Sequence, residues 1–407
     1  MRQTRWRRAA VGAAAVGLLM VPVGAGVGYA VDAPAPPSAS SSAGSTDSED
    51  FPQLTPAVAR QLDEAVRKVR DEAKVPGVQV ALSAPGKGAY VRAFGVADKA
   101  TGRPMTDHLF MRIGSETKTF TVTALLELVD EGKVGLDDPI GTYVPGVPNG
   151  DRITLRELAG MRSGLFNYSA DEDFFKALTS DPQREFTPQE LLGYSFKHPV
   201  LFAPNAQFNY CNTNLILLGL VVEKVSGQRL ADFITKEVVG PAGLKHTLFP
   251  VGAEFPKPHA QGYTNQTASG KTEDSAGWNP SWGWAAGAMI SDLTDLRKWA
   301  KVVATGELLT PATQAERLKV SPALPGTGYG LGIFKVNGWI GHNGSLPGYQ
   351  SLTLYDPRTQ ATLVVLLNTD ISAEGQEPST LFGEAITKIV TPEHVYTLPA
   401  QPAAGKS

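Results

Sequence analysis

Between Thr55 and Ala73, apolar residues fall at Val58, Leu62, Val66 and Val69, the spacing of one face of an amphipathic helix. Val78–Leu82 and Tyr90–Val96 are apolar or alternating runs bounded by Pro and Gly, and they predict two strands. Thr117–Glu131 is strongly apolar and stops at Gly132, which predicts a buried helix. From Asp137 to Thr187 the pattern breaks into turns and short helices. Asn214–Ser226 predicts a further apolar helix closing at Gly227, and Leu293–Thr305 is also helical in pattern. The last third changes period. Tyr329–Lys335, Trp339–His342, Ser351–Tyr355 and Thr362–Asn368 predict strands, and Pro378–Val390 a final helix. Strands at both ends with helices between them predict an α+β fold. One antiparallel sheet is built from both chain ends and flanked by helices, with a mainly helical region inserted.

The N-terminus follows a different rule. Arg2, Arg5, Arg7 and Arg8 precede an uncharged, small-residue-rich apolar run that ends near Ala30. Residues 1–30 therefore read as a secretory signal peptide, and the expected location is secreted or extracytoplasmic. The run is also long enough to span a bilayer, so membrane attachment is expected only through this segment left uncleaved. Residues 31–52, rich in Ala, Pro and Ser, read as a solvated linker. The folded domain is then 53–396, and 397–407 is a plain tail.

Composition narrows the function. Of 407 residues 42% are hydrophobic and 19% charged, enough to build a large core, which excludes wholesale disorder. With 37 basic against 40 acidic residues and no basic block beyond the N-terminus, a nucleic-acid partner is not expected. The 42 glycines and 30 prolines have no strict period, which fits a loop-rich globular fold and excludes collagen. The single cysteine, Cys211, permits neither an intrachain disulfide nor a multi-cysteine metal site. His108, His198, His246, His259, His342 and His394 are dispersed and form no local zinc motif. No G-x-S-x-G, phosphate-loop or H-E-x-x-H motif occurs. The glycine-rich run Gly326–Gly332 leads into a strand, not a helix, so it is no phosphate cradle. No cofactor or metal is expected.

Three short motifs carry candidate chemistry. Ser115-Glu116-Thr117-Lys118 opens the buried helix, so the spacing puts Ser115 and Lys118 on one face. The helix dipole favours an oxyanion at Ser115, and a desolvated lysine can activate a hydroxyl; the plainer alternative is a capping serine and a surface lysine. Tyr210-Cys211-Asn212 precedes an apolar helix. Tyr210 can relay a proton and Asn212 can bond a substrate amide, or both can be core and cap. Cys211 reads as a small buried filler. His342-Asn343-Gly344-Ser345 ends an apolar strand. The glycine permits close backbone approach and His342 can relay a proton, whereas Asn-Gly by itself favours a tight hairpin turn.

In this order the three motifs resemble the serine penicillin-recognising family, whose set is S-x-x-K, Y-x-N and [KH]-x-G. The text is most similar to the Streptomyces D-alanyl-D-alanine carboxypeptidase and its secreted relatives. Segments 128–140, 153–165, 209–227, 329–333 and 341–349 agree with it, and the resemblance spans about 55–390. It implies a serine β-lactamase/DD-peptidase-like fold and an acyl-serine mechanism. Ser115 would be the nucleophile, with Lys118 and Tyr210 jointly assigned the base role and Tyr210, with His342, the proton donor. The Ser115 N–H and one from the strand near Ser345 would form the oxyanion hole. Asn212, Trp282, Asn343, Gly344 and Ser345 would bind substrate. Expected partners are small molecules or peptides, namely D-Ala-D-Ala-like peptides and β-lactams.

One departure stands out. The carboxypeptidase has an arginine for the terminal carboxylate directly after the segment matching Tyr329–Ile333, and here that residue is Phe334, followed by Lys335. A D-alanyl-D-alanine carboxypeptidase is expected, with β-lactamase or esterase/amidase activity on the same fold as the alternative. A non-catalytic penicillin-binding or peptidoglycan-sensing module is the alternative of another class.

Overall fold

The computed structural model describes residues 51–399; the expected signal peptide, nearly all of the linker and residues 400–407 lie outside the described residues. Phe51 is already 2% exposed in the core, so the fold begins inside the stretch that composition reads as linker. Helix α1 (Pro56–Glu72) starts where the Thr55 hydroxyl accepts from the Val58 N–H, with Pro56 in the first turn. Leu62 and Val66 of its predicted face are fully buried.

The N-terminal end supplies strands β1 (Gly77–Ala84), β2 (Gly88–Asp98) and β3 (Arg103–Pro104). The C-terminal end supplies β4 (Ser321–Pro322), β5 (Thr327–Tyr329), β6 (Phe334–Val336), β7 (Trp339–Leu346), β8 (Tyr349–Asp356) and β9 (Ala361–Leu367). They form one nine-stranded antiparallel sheet in the order β3-β2-β1-β9-β8-β7-β6-β5-β4. The chain ends meet at β1 and β9, in register from Val78↔Leu367 to Ser83↔Thr362. Every residue of β8 and β9 is buried, as a strand covered on both faces requires.

The inserted region carries α2 (Thr117–Asp130), α3 (Asn212–Ser226) and α4 (Leu293–Thr305), and α5 (Pro378–Val390) follows the sheet. Helices α1 and α5 pack together on one side, where Gly383 of α5 meets Leu352 of β8. Helix α4 covers the other side, with Arg297 bonding Ser83 of β1. Helices α2 and α3 are buried almost all round, which explains why neither shows a clean polar face in sequence. Gly227 ends α3 in the left-handed conformation, φ 70°. Among the described residues, no helix is long and apolar enough to cross a membrane.

Two expectations change. Tyr329–Lys335 is not one strand. Between β5 and β6 the chain turns at Gly330–Ile333, where a Cβ on Gly330 would lie 2.1 Å from the Arg317 carbonyl oxygen and one on Gly332 2.7 Å from Val122. The tight Asn-Gly hairpin forms at Asn337-Gly338, φ 47° and 93°, whereas Asn343-Gly344 lies inside β7.

Candidate active site

The site forms where the helical region meets the uncovered half of β7. Ser115 sits in a single 3₁₀ turn, Gly114–Glu116, that runs into α2. Its N–H, in a first turn, has no partner within the helix. A Cβ on Gly344 would lie 2.0 Å from the Ile113 carbonyl oxygen, and a Cβ on Gly114 would lie 2.8 Å from the Ser345 nitrogen. Only glycines allow turn and strand to approach this closely, and Gly114 also needs its φ of 51°. The Ser351 hydroxyl pins the contact with a 2.8 Å bond to the Ile113 carbonyl.

Strand β6 covers β7 only at Trp339–Gly341. The hairpin turns close on the Val336–Trp339 and Leu346–Tyr349 pairs, and alternation from either turn points the backbone groups of Asn343 and Ser345 to the uncovered edge. The Ser115 and Ser345 N–H groups thereby border one space, the arrangement of an oxyanion hole.

Lys118, fully buried one turn into α2, donates to Ser115 Oγ at 2.9 Å and to the Ala286 carbonyl at 2.8 Å. Burial pushes its amine well below the ordinary lysine range, only weakly opposed by Cys211. Its Nζ lies 4.9 Å from the centre of the Tyr210 ring. Burial pushes the Tyr210 phenol up, a hydrogen bond with Ser115 working the other way. Burial thus favours the uncharged amine and the protonated phenol around one hydroxyl. Cys211 is 1% exposed, its thiol pushed up to about 11 by burial, in keeping with a filler.

These groups open on a cavity of about 360 Å³ that Asn212, Trp282, Asn343 and Ser345 also line. Asn212 begins α3, and its Nδ2 donates to Ser169 Oγ at 3.0 Å. Cys211, not Asn212 or Thr213, occupies the N-cap position. Trp282 is fixed through its carbonyl, which accepts from the Tyr168 hydroxyl at 2.6 Å. Two residues take other places than the motif reading assigns them. His342, 2% exposed, points beneath β7 with its Nδ1 on the Asn343 carbonyl and its Nε2 3.2 Å from the Tyr329 hydroxyl. A carbonyl only accepts, so the proton sits on Nδ1 and Nε2 accepts from Tyr329. Burial, then Lys118, push His342 down to about 3, so it stays neutral and holds Tyr329 rather than relaying a proton. Gly344 is spent on the approach to Ile113 and lies outside the cavity lining.

Phe334 lines the cavity beside Tyr210, whereas Lys335 points outward and is exposed. Two carboxyl groups that the motifs did not indicate, Asp370 and Glu377, line it too. In sequence Glu377 is an acidic residue before a helix-starting proline, indistinguishable from an ordinary helix start. His246, Asp292 and Asp295 come close enough together to suggest a metal site, but these groups, in the connection to α4, are already engaged. Asp292 caps α4, and Asp295 accepts from the His246 N–H and the Thr247 hydroxyl.

Glu116, beside Ser115, is 1% exposed, and burial pushes its carboxyl up to about 8 against weak help from the Thr353 and Ser351 hydroxyls. A raised folded-state value means stability that is full below the unfolded value near 4.5 and lost as pH rises through about 8. Glu116→Gln is therefore expected to gain stability relative to the parent across that window, by about 1.4 kcal/mol for each pH unit crossed. Urea midpoints of both proteins at pH 5 and pH 8.5 check this; a constant difference would contradict it.

The comparisons agree with this geometry. The Beta-lactamase family model matches residues 62–382. Protein flp of Staphylococcus aureus is 27% identical over 334 residues, covering 78% of this chain; the chain spans 64% of that relative's length. A D-stereospecific amidohydrolase from Streptomyces sp. superposes with a TM-score of 0.71 at 29% identity, over 82% of this chain and 97% of its own. A D-amino acid amidase from Ochrobactrum anthropi SV3, complexed with L-phenylalanine amide, gives 0.72 at 29% identity, over 82% and 96%. With its family model matched over 62–382, and with Ser115, Tyr210, Asn212 and the strand that carries H-x-G meeting at one cavity, the chain belongs to the beta-lactamase family of serine penicillin-recognising enzymes.

Proposed function

We propose that the protein is an exported acyl-serine hydrolase that cleaves amide bonds at D-configured residues, in D-amino acid amides or peptidoglycan-type peptides. The observation that carries this reading is the buried Lys118 amine 2.9 Å from Ser115 Oγ, which burial pushes well below the ordinary lysine range. Lys118 takes the Ser115 proton as Oγ attacks the carbonyl carbon, and the two N–H groups hold the oxyanion. Tyr210, protonated at neutral pH, gives its proton to the leaving nitrogen as the C–N bond breaks, and Lys118 returns a proton to the phenol. Water then hydrolyses the acyl-serine with the same groups in reverse roles. Asn212 bonds the acyl-side amide.

The two structural neighbours named above, a D-stereospecific amidohydrolase and a D-amino acid amidase, support the D-amide class. A D-alanyl-D-alanine carboxypeptidase would need a cation for the terminal carboxylate. The cavity lining contains Asp370 and Glu377 and neither Lys nor Arg among the described residues. Export rests on the arginine-led apolar run at 1–30. The test is kcat/KM for D- and L-alaninamide, with benzylpenicillin in parallel. D-alaninamide is expected to exceed its enantiomer by about 100-fold. Equal rates, or consumption of penicillin with no amide cleavage, would overturn the proposal, the latter in favour of a β-lactamase.

A further inference from the structure

Strand alternation divides β7 between two environments. His342 and Gly344 face the 3₁₀ turn at Gly114–Glu116 that leads into α2, while Asn343 and Ser345 face α5, as do their partners Leu352 and Gln350 on β8. Glu377, immediately before α5, accepts from Asn343 Nδ2 at 2.9 Å. That is the one hydrogen bond of its side-chain carboxyl among the described residues, and no Lys or Arg among them pairs with it, so an oxygen is left for a ligand. Asp370, by contrast, is spent on structure, accepting from the Gly348 N–H and from Thr264 and Gln266. On the same wall Gln350, 1% exposed, holds the start of α5 through Oε1 while its Nε2 has no partner.

The position of Glu377 in the cavity follows from the strand. Asn343 lies two residues before Ser345, on the side of Tyr210 and Phe334, and the Glu377 carboxylate acts electrostatically on the Tyr210 phenol. Tyr210 is the group that meets the departing nitrogen in the function proposed above, on which this inference rests. We propose that Glu377, held by Asn343, makes the leaving-group subsite reject a free carboxylate and accept an amidated, chain-extended or cationic leaving half. Burial, and then the neighbouring Asp370, push the Glu377 carboxyl up while its bond to Asn343 works the other way, so the carboxylate of a terminal D-residue would bring a further acid group to surroundings that screen poorly and offer no cation. An ammonium or amide N–H would find an acceptor already oriented by Asn343. The enzyme would then act on amides, or within a peptide, and not at a free C-terminus.

The test compares three substrates with one acyl half, N-acetyl-D-alanine, joined to D-alanine, to D-alaninamide and to 1,2-diaminoethane. The wild-type chain is expected to cleave the D-alaninamide compound at least about tenfold faster in kcat/KM than the free acid, with the cationic compound at least equal to it. Glu377→Gln should narrow the acid-to-amide ratio about tenfold, mainly through KM, and lower the preference for the cation. Glu377→Asp, which keeps the charge, should hold the wild-type ranking if the glutamine variant does not fold. A wild-type enzyme that prefers the free acid, or a ratio unchanged in Glu377→Gln, would overturn the inference. Acylation of Ser115 by a neutral D-alanine ester, followed by intact mass, separates the two failures. An adduct with no discrimination leaves the acyl-serine reading standing and removes this one; no adduct removes both.

Discussion

Ser115→Ala is expected to lose turnover of every substrate by about 10⁴-fold or more, and to lose any covalent adduct, while melting within about 5 °C of the parent. Among the described residues, Ser115 Oγ is the one hydroxyl that Lys118 Nζ bonds, and it lies beside the two N–H groups that would hold the oxyanion. Without it the base has no nucleophile to activate. The fold, however, takes little from this oxygen, because the 3₁₀ turn is pinned by Ser351 and by the contacts of Gly114 and Gly344. Lys118 keeps its bond to the Ala286 carbonyl. Intact-mass measurement after brief exposure to benzylpenicillin or an activated D-amino acid ester, with hydrolysis assays and a melting curve, reads all three quantities. A variant within tenfold of parental activity would remove Ser115 from the mechanism. An adduct that persists would place the nucleophile elsewhere.

The sequence showed the elements well where one period ran unbroken. Helix α1 and α5, strands β8 and β9, and the meeting of both chain ends in one sheet could be read from spacing alone, because burial on one or two faces writes itself into the pattern. The split between β5 and β6 was not readable. It depends on Gly330 and Gly332 fitting under Arg317 and over Val122, residues far away in the chain. Local rules also misplaced a turn: of the three Asn-Gly pairs, the one at Asn337-Gly338 makes the hairpin, and the one inside β7 is held straight by its register with β8.

The site divides the same way. That Ser115, Lys118 and Tyr210 meet was legible, because the resemblance sets those residue types in that order and the structure brings them together. The roles of His342 and Gly344 were not, since facing α2 or facing the cavity is decided by register and not by residue type. Glu377 was invisible for a related reason. Its partner Asn343 is 34 residues away, and only the packing of α5 on β8 joins them. Lys335 could be discounted in advance by alternation, and it is exposed while Phe334 lines the cavity.

Lys118→Met should lower kcat by about 10³-fold, within the range expected for loss of a general base, and should raise stability at neutral pH. The two effects share one cause. Among the described residues the hydrogen-bond partners of Lys118 are a hydroxyl and a carbonyl, with no carboxylate. Burial therefore favours the uncharged amine, the form a base needs, at the cost of a proton that the unfolded chain would bind. A lysine depressed in the folded state contributes stability that is full above its unfolded value near 10.5 and lost as pH falls toward the folded value. Methionine, of similar length and without a charge, removes that cost but leaves the Ala286 carbonyl without its bond. The difference between variant and parent should thus be greatest near pH 7 and shrink as pH approaches 10.5; Glu116 is common to both proteins and cancels. Urea midpoints at pH 7, 8.5 and 10 measure it. A pH-independent difference would mean that Lys118 is charged in the folded protein, and the base would have to be sought in Tyr210.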